Sequence, residues 1–180
     1  MRVAPRGSDD TRFFFAHRPE ALSIAIAIEE RNATVYHHLG NLFSQFCSDA
    51  PTLAVSFFEL ESAERRHGAL LISRYVERYG TLNTGASEED IRDFIEVPRY
   101  DVASVLTAVE IGQPGSARHI ALEIAAAAER SALQYYRHMV ATTLDPELKS
   151  LYEEFVALEQ EHTDWLDIEL GAEAVARNRP

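Results

Sequence analysis

Two stretches of this chain, 100 positions apart, carry closely related sequences. Residues 21–38 and 121–138 share eight identical positions, including a glutamate at the ninth position of each stretch. A second pair of stretches matches at an offset of 95, where Leu53, Glu59, Glu64, His67 and Leu71 correspond to Leu148, Glu154, Glu159, His162 and Leu166. The chain is therefore predicted to be an internal duplication, in which both copies adopt the same local structure.

Each copy of the repeat indicates a pair of long helices. Helix breakers are few, with 8 Gly and 7 Pro, and many of them cluster within residues 80–115. A polar residue followed by proline marks a helix start at residues 48–51 and again at 145–146. No window alternates apolar and polar residues with the period of a strand. We therefore predict an all-α protein, with long helices at about 19–48, 51–79, 116–143 and 146–170.

The link between the two hairpins is much longer than the links inside them. It spans residues 80–115 and contains two candidate starts of short helices, at Ser87 and Asp101. A link of this length permits a crossover between the hairpins. We predict one domain over residues 1–180, a four-helix bundle of two duplicated hairpins joined by this crossover.

Charge and cysteine content exclude several classes of function. The net charge of −12 disfavours binding to nucleic acid, because a polyanion would be repelled. The one cysteine, Cys47, excludes a disulfide framework and any Cys-x-x-Cys metal module. No apolar run is long enough to span a membrane, and the first ten residues do not resemble a signal peptide. We therefore expect a cytoplasmic protein that contacts neither a membrane nor nucleic acid.

Four glutamates fall on the apolar faces of the predicted helices instead of the polar ones. With about 3.6 residues per turn, Glu29 lies in the middle of the apolar stripe of the first helix. Its repeat equivalent lies in the third helix, and the second and fourth helices each carry a Glu-x-x-His pair on the same kind of face. The residues that share this mid-helix placement are Glu29, Glu64, His67, Glu129, Glu159 and His162.

Four buried carboxylates require a positive partner. The apolar stripes contain no Lys or Arg, and protonating all four at neutral pH would require each pKa to rise by about 3. Two divalent cations would balance the four charges, and a Glu and a His three residues apart on a helix can reach the same ion. Carboxylate and imidazole ligands favour iron or manganese over structural zinc. The alternatives are a purely structural polar network and a bundle that has lost its metal.

The sequence gives weaker evidence that other polar residues belong to the metal site. Tyr36 and Tyr136 lie seven residues after the stripe glutamates, where they could hydrogen-bond to metal ligands or simply pack in the core. The acids outside the mid-stripe positions and the remaining histidines are predicted to have ordinary surface or core roles. Trp165 and the cluster Phe13-Phe14-Phe15 are predicted to cover the bundle ends or to form a contact in a homodimer.

Residues 145–162, Asp-Pro-Glu-Leu-Lys-Ser-Leu-Tyr-Glu-Glu-Phe-Val-Ala-Leu-Glu-Gln-Glu-His, resemble the fourth-helix signature of rubrerythrins, a branch of the ferritin-like di-iron carboxylate proteins. Residues 21–36 and 121–136 resemble the first and third helices of that branch, and the resemblance covers about residues 19–170. It implies a ferritin-like bundle with two iron ions, or with manganese or a mixed Mn/Fe pair. The implied ligand roles are Glu64 and Glu159 as bridges, Glu29 with His67 on one ion, and Glu129 with His162 on the other.

The symmetry of the repeat is similar to that of symerythrin-like erythrins, and the six ligands are also similar to those of bacterioferritin ferroxidase centres. Two features depart from typical rubrerythrins. There is no cysteine-rich electron-transfer module, and Ala132 and its equivalent Asn32 stand at the position of an additional glutamate. The resemblance implies a peroxidase or oxidase in which Fe(II) pairs react with hydrogen peroxide or dioxygen and an external donor supplies electrons. Iron oxidation for storage, oxygenation of an organic substrate and a non-enzymatic helical interaction module are the alternatives.

Overall fold

The structure, a computed structural model, describes residues 19–46, 51–82 and 102–177. Within these ranges it contains no strand, and the predicted all-α class is confirmed. The helices are α1 (Pro19–Phe46), α2 (Pro51–Tyr79), α3 (Val102–Glu110), α4 (Pro114–Thr142) and α5 (Pro146–Arg177). The end of the first helix predicted at residue 48 and the helix start predicted at Ser87 lie outside the described residues.

The long helices form the two predicted hairpins. α1 packs along α2, α4 packs along α5, and α3 lies against α4 and also contacts α1. Between the hairpins, the backbones of α1 and α4 approach each other more closely than those of α2 and α5. Fully buried alanines allow this close approach, among them Ala25 of α1 and Ala125 of α4. The hydroxyl of Tyr135 donates a hydrogen bond to the carbonyl oxygen of Ala21 at 2.6 Å and ties the two helices together.

The apolar core is divided into two clusters. One contains residues such as Ile28, Leu71 and Phe155, and the other contains residues such as Phe43 and Leu166. On every long helix the stripe glutamates fall in sequence between the residues of the two clusters. The fold therefore places a polar layer across the middle of the bundle, with apolar packing on both sides.

The helix ends show where glycine stops a helix and where it does not. α2 ends before Gly80, which has a φ of +85°, and Gly112 adopts a φ of +72° after α3. The end predicted for the last helix at residue 170 is wrong, because α5 continues through Gly171, which keeps a negative φ, to Arg177. Beyond Gly171, the carboxylate of Glu173 is buried and ion-paired to α4, so tertiary contacts stabilise the extra turns.

α4 begins at Pro114, two residues before the predicted start, with proline in its first turn. The cap predicted at Asp145 is present, and the N–H groups of Glu147 and Leu148 donate to Asp145 Oδ1 at 2.9 and 3.2 Å. Among the described residues, no helix combines the length and the apolar character needed to cross a membrane.

Candidate metal centre

The structure brings the six predicted ligands together in the polar layer of the bundle. All four glutamates are fully buried. Two groups of four residues each offer ligand atoms that lie within 4.8 Å of one another. The first group is Glu29, Glu64, His67 and Glu159, and the second is Glu64, Glu129, Glu159 and His162. Because Glu64 and Glu159 belong to both groups, the geometry provides two adjacent four-ligand positions that share two carboxylates.

The two halves of the centre are related by the internal repeat. His67 Nδ1 lies 3.3 Å from Glu29 Oε2 and 3.5 Å from Glu159 Oε1. His162 Nδ1 lies 3.1 Å from Glu64 Oε1 and 3.5 Å from Glu129 Oε2. The imidazole rings stack with their centroids 5.5 Å apart and an angle of 19° between their planes. Each imidazole therefore faces one carboxylate of α1 or α4 and one from the opposite Glu-x-x-His pair.

Several polar atoms of the centre make no hydrogen bond. They are both carboxylate oxygens of Glu64, both of Glu159, Oε2 of Glu129 and Nδ1 of His162. Leaving one buried polar group unsatisfied costs about 1 to 3 kcal/mol, and more when the group is charged. Among the described residues, the ion pairs of these four glutamates involve histidine and no Lys or Arg. Carboxylate oxygens and an imidazole nitrogen that converge without hydrogen-bond partners fit a site for cations.

The electrostatics of the centre are uneven. Burial, together with the nearby carboxylates, raises the pKa of Glu64 and the pKa of Glu159 well above the ordinary value. Burial alone would raise the pKa of Glu129. The contacts of this carboxylate with His162 and Tyr36 outweigh the effect of burial, so the pKa is lowered. The pKa of His162 is raised because the carboxylate of Glu129 outweighs the effect of burial. Without bound cations, the cost of ionisation is therefore highest at the two shared glutamates, which are the carboxyl groups that take up protons most readily.

Two buried tyrosines connect the hairpins at the centre. The hydroxyl of Tyr36 on α1 donates to Glu129 Oε1 on α4, and the hydroxyl of Tyr136 on α4 donates to Glu29 Oε1 on α1. Burial, followed by the charge of Glu29, raises the pKa of Tyr136 well above its ordinary value, so this hydroxyl remains a proton donor. The tyrosines singled out in the sequence therefore contact two of the predicted ligands and fix one oxygen of each.

Acids and histidines outside the mid-stripe positions make contacts away from the centre. Glu61 on α2 accepts a hydrogen bond from Arg65 and contacts the half-exposed His37. His119 contacts Glu173 near the start of α4. These contacts support the surface and structural roles predicted for such residues.

A cavity beside His162 was not predicted from the sequence. It has a volume of about 210 Å³ and is lined by Ser56, Glu59, Leu60, Ala63, His162 and Trp165. The signal available in the sequence was a difference in size between the repeats, since Ala63 corresponds to Leu158.

Comparison with known proteins yields no relative, since no family model, no curated protein and no solved structure matches the chain. A helical bundle does not specify a function by itself, because the same architecture carries many unrelated activities. The buried cluster of carboxylates and imidazoles is therefore the feature that bears on function.

Proposed function

We propose that this protein is a di-iron carboxylate oxidoreductase of the rubrerythrin and erythrin type, which reduces hydrogen peroxide or dioxygen. One observation carries the proposal. Four fully buried carboxylates and two imidazoles converge in the middle of the bundle, with no Lys or Arg among their described ion-pair partners. Keeping such a cluster without a cation would cost stability, and an ordinary core residue at any of these positions would avoid that cost.

The donor set fits two divalent ions. Glu29 and His67 would hold one ion, Glu129 and His162 would hold the other, and Glu64 and Glu159 would lie between them. The oxygens of the two shared glutamates make no hydrogen bonds within the protein and are free to act as ligands. Four carboxylates neutralise the charge of two divalent ions, and the mixed oxygen and nitrogen donors suit iron, with manganese as the alternative.

When bound, two ferrous ions would supply the two electrons that convert hydrogen peroxide and two protons into two molecules of water. The chain itself contributes position and a dry environment. Tyr36 and Tyr136 hold the carboxylates of Glu129 and Glu29 by hydrogen bonds, and the two apolar clusters exclude bulk water above and below the centre. An external donor would supply the electrons, since the one cysteine of these 180 residues cannot build an iron–sulfur site.

The test is rapid mixing of the Fe(II)-loaded protein with hydrogen peroxide or dioxygen, followed by absorbance and by iron analysis. We expect two iron ions per chain to be oxidised for each peroxide consumed. The Glu30→Gln variant, which changes an exposed acid next to Glu29, should behave like the wild type. Oxidation no faster than that of free Fe(II), or unchanged oxidation in a Glu64→Ala variant, would rule out the proposed centre.

The same preparation distinguishes iron storage from peroxide reduction. A storage protein would form a large cage on size-exclusion chromatography and would accumulate iron far beyond two ions per chain. A redox enzyme would stop at the two-ion stoichiometry and would turn over only when a reductant is supplied.

A further inference from the structure

The two halves of the centre differ in their access to solvent. The cavity of about 210 Å³ lies between α2 and α5, and the imidazole of His162 forms part of its wall. The side chain of His162 is 17% exposed, although its Nδ1 is buried against Glu64. The side chain of His67, its repeat equivalent, is 10% exposed and does not line this cavity.

The difference follows from side-chain volume in the two repeats. On the His67 side, the ring of Phe155 meets the imidazole edge-on, with the ring centroids 5.5 Å apart. The position equivalent to Phe155 next to His162 is Leu60. Two of the other three wall positions on α2 are also smaller than their equivalents, since Ser56 and Ala63 correspond to Leu151 and Leu158, while Glu59 corresponds to Glu154. The duplication thus leaves a space beside His162, whereas the larger Phe155 packs against the imidazole of His67.

The size and lining of this cavity restrict what it can admit. Its volume is below the ~300–1,000 Å³ of pockets that enclose drug-sized ligands. The exposed Glu59 lies on its wall, so small anions are disfavoured. The remaining lining combines the Ser56 hydroxyl with the apolar side chains of Leu60, Ala63 and Trp165. This environment fits a small, uncharged, polar molecule such as hydrogen peroxide.

We propose that small uncharged reactants reach the centre from one side only, through the cavity beside His162, while Phe155 closes the His67 side. The two metal positions are then inequivalent, and the one that includes Glu129 and His162 exchanges ligands with solvent. This inference rests on the proposed function for the identity of the reactant. The one-sided access itself is a property of the chain and can be tested without metal.

The test uses diethyl pyrocarbonate, a small uncharged reagent, on the full-length chain after treatment with a chelator. The modification of each histidine is followed by peptide mass spectrometry. In the wild type we expect His162 to react several-fold faster than His67. The Ala63→Leu variant fills the cavity and should slow His162 several-fold, with the rate at His67 unchanged. The Leu158→Ala variant removes the equivalent side chain in the other repeat and should accelerate His67.

A second readout does not depend on histidine chemistry. Trp165 is the only tryptophan of the chain and lines the cavity, so its fluorescence reports entry of the neutral quencher acrylamide. We expect weaker quenching in Ala63→Leu and no change in Leu158→Ala. If circular dichroism shows that Ala63→Leu is unfolded, Ser56→Leu fills the same cavity from two helical turns away and takes its place.

The outcomes separate the access route from the function. Equal reactivity of the two histidines, or unchanged reactivity of His162 in the filled variant, would overturn one-sided access even if the protein binds iron. The protein could instead show the expected difference in histidine reactivity and yet fail to bind two metal ions. That result would support the cavity as the access route and would refute the di-iron function.

Discussion

Replacing Glu64 with glutamine should stabilise the protein without metal and destabilise it relative to the wild type with metal. The ligand atoms of each group lie within 4.8 Å of one another. Two ionised carboxylates at that distance repel by about 3.5 kcal/mol at an effective dielectric constant of 20. Protonating a carboxylate at pH 7, when its ordinary pKa is 4.5, costs about 3.4 kcal/mol. Protonation therefore limits the cost of keeping Glu64 in the metal-free protein to a similar value. Glutamine keeps the volume and removes this cost.

The net gain is smaller than this limit because the new amide must also find hydrogen-bond partners. We expect the free energy of unfolding of the metal-free protein to rise by about 1 to 3 kcal/mol in Glu64→Gln. Metal at 1,000 times its dissociation constant should stabilise the wild type by about 4.1 kcal/mol, which exceeds the largest gain expected from the substitution. The variant loses a shared ligand, gains less from metal, and should become the less stable of the two.

The assay is urea unfolding followed by circular dichroism, with chelator in one series and Mn(II) in the other. Glu159→Gln is the repeat equivalent and should show the same reversal of order. The control Glu30→Gln changes an exposed acid and should stay within about 0.5 kcal/mol of the wild type in both series. Destabilisation by Glu64→Gln in the metal-free series would refute the argument, because it would mean that the carboxylates form a favourable structural network.

Three further predictions concern the surroundings of the centre. Tyr36→Phe and Tyr136→Phe remove the hydrogen bonds to Glu129 and Glu29 and should each weaken metal binding about 10- to 100-fold, as measured by competition with a chelating dye. Asp145→Ala should lower the free energy of unfolding by about 0.5 to 2 kcal/mol at neutral pH through loss of the α5 cap. The N–H groups of α5 and Arg78 outweigh burial and lower the pKa of Asp145. Its contribution is therefore present above the unfolded value of 3.8 and should disappear as the pH falls through the folded value, which urea unfolding across that range will show. Gly68→Ala should raise thermal stability by up to about 1 kcal/mol, because its new Cβ would lie 3.7 Å from Glu29 Cβ, an ordinary contact distance.

The helices and the candidate ligands could be predicted because both leave a periodic signal in the sequence. A carboxylate on an apolar stripe, such as Glu29, is visible without coordinates, and the internal repeat identifies its counterpart Glu129. Glycine predicted the ends of helices less reliably. Gly80 follows the end of a helix with a positive φ, whereas Gly171 stays helical because contacts of Glu173 with α4 hold the following turns.

The contacts between the hairpins could not be predicted in the same way. The pairing of Tyr36 with Glu129 depends on the register of α1 against α4, which periodicity along a single helix does not specify. The cavity beside His162 depends on side-chain volumes contributed by α2 and α5 at one point in space. The difference between Ala63 and Leu158 is visible in the aligned repeats, but its consequence requires knowing that Ala63 and His162 lie on the wall of one cavity.

An anaerobic Fe(II) titration, with elemental analysis after gel filtration, tests directly whether the buried cluster holds two metal ions. We expect the wild-type chain to retain two iron ions, Glu64→Gln and Glu159→Gln to retain fewer, and Glu30→Gln to retain two. A wild-type chain that retains no iron, or iron retention unaffected by either shared glutamate, would contradict the assignment of the buried cluster as a two-metal centre.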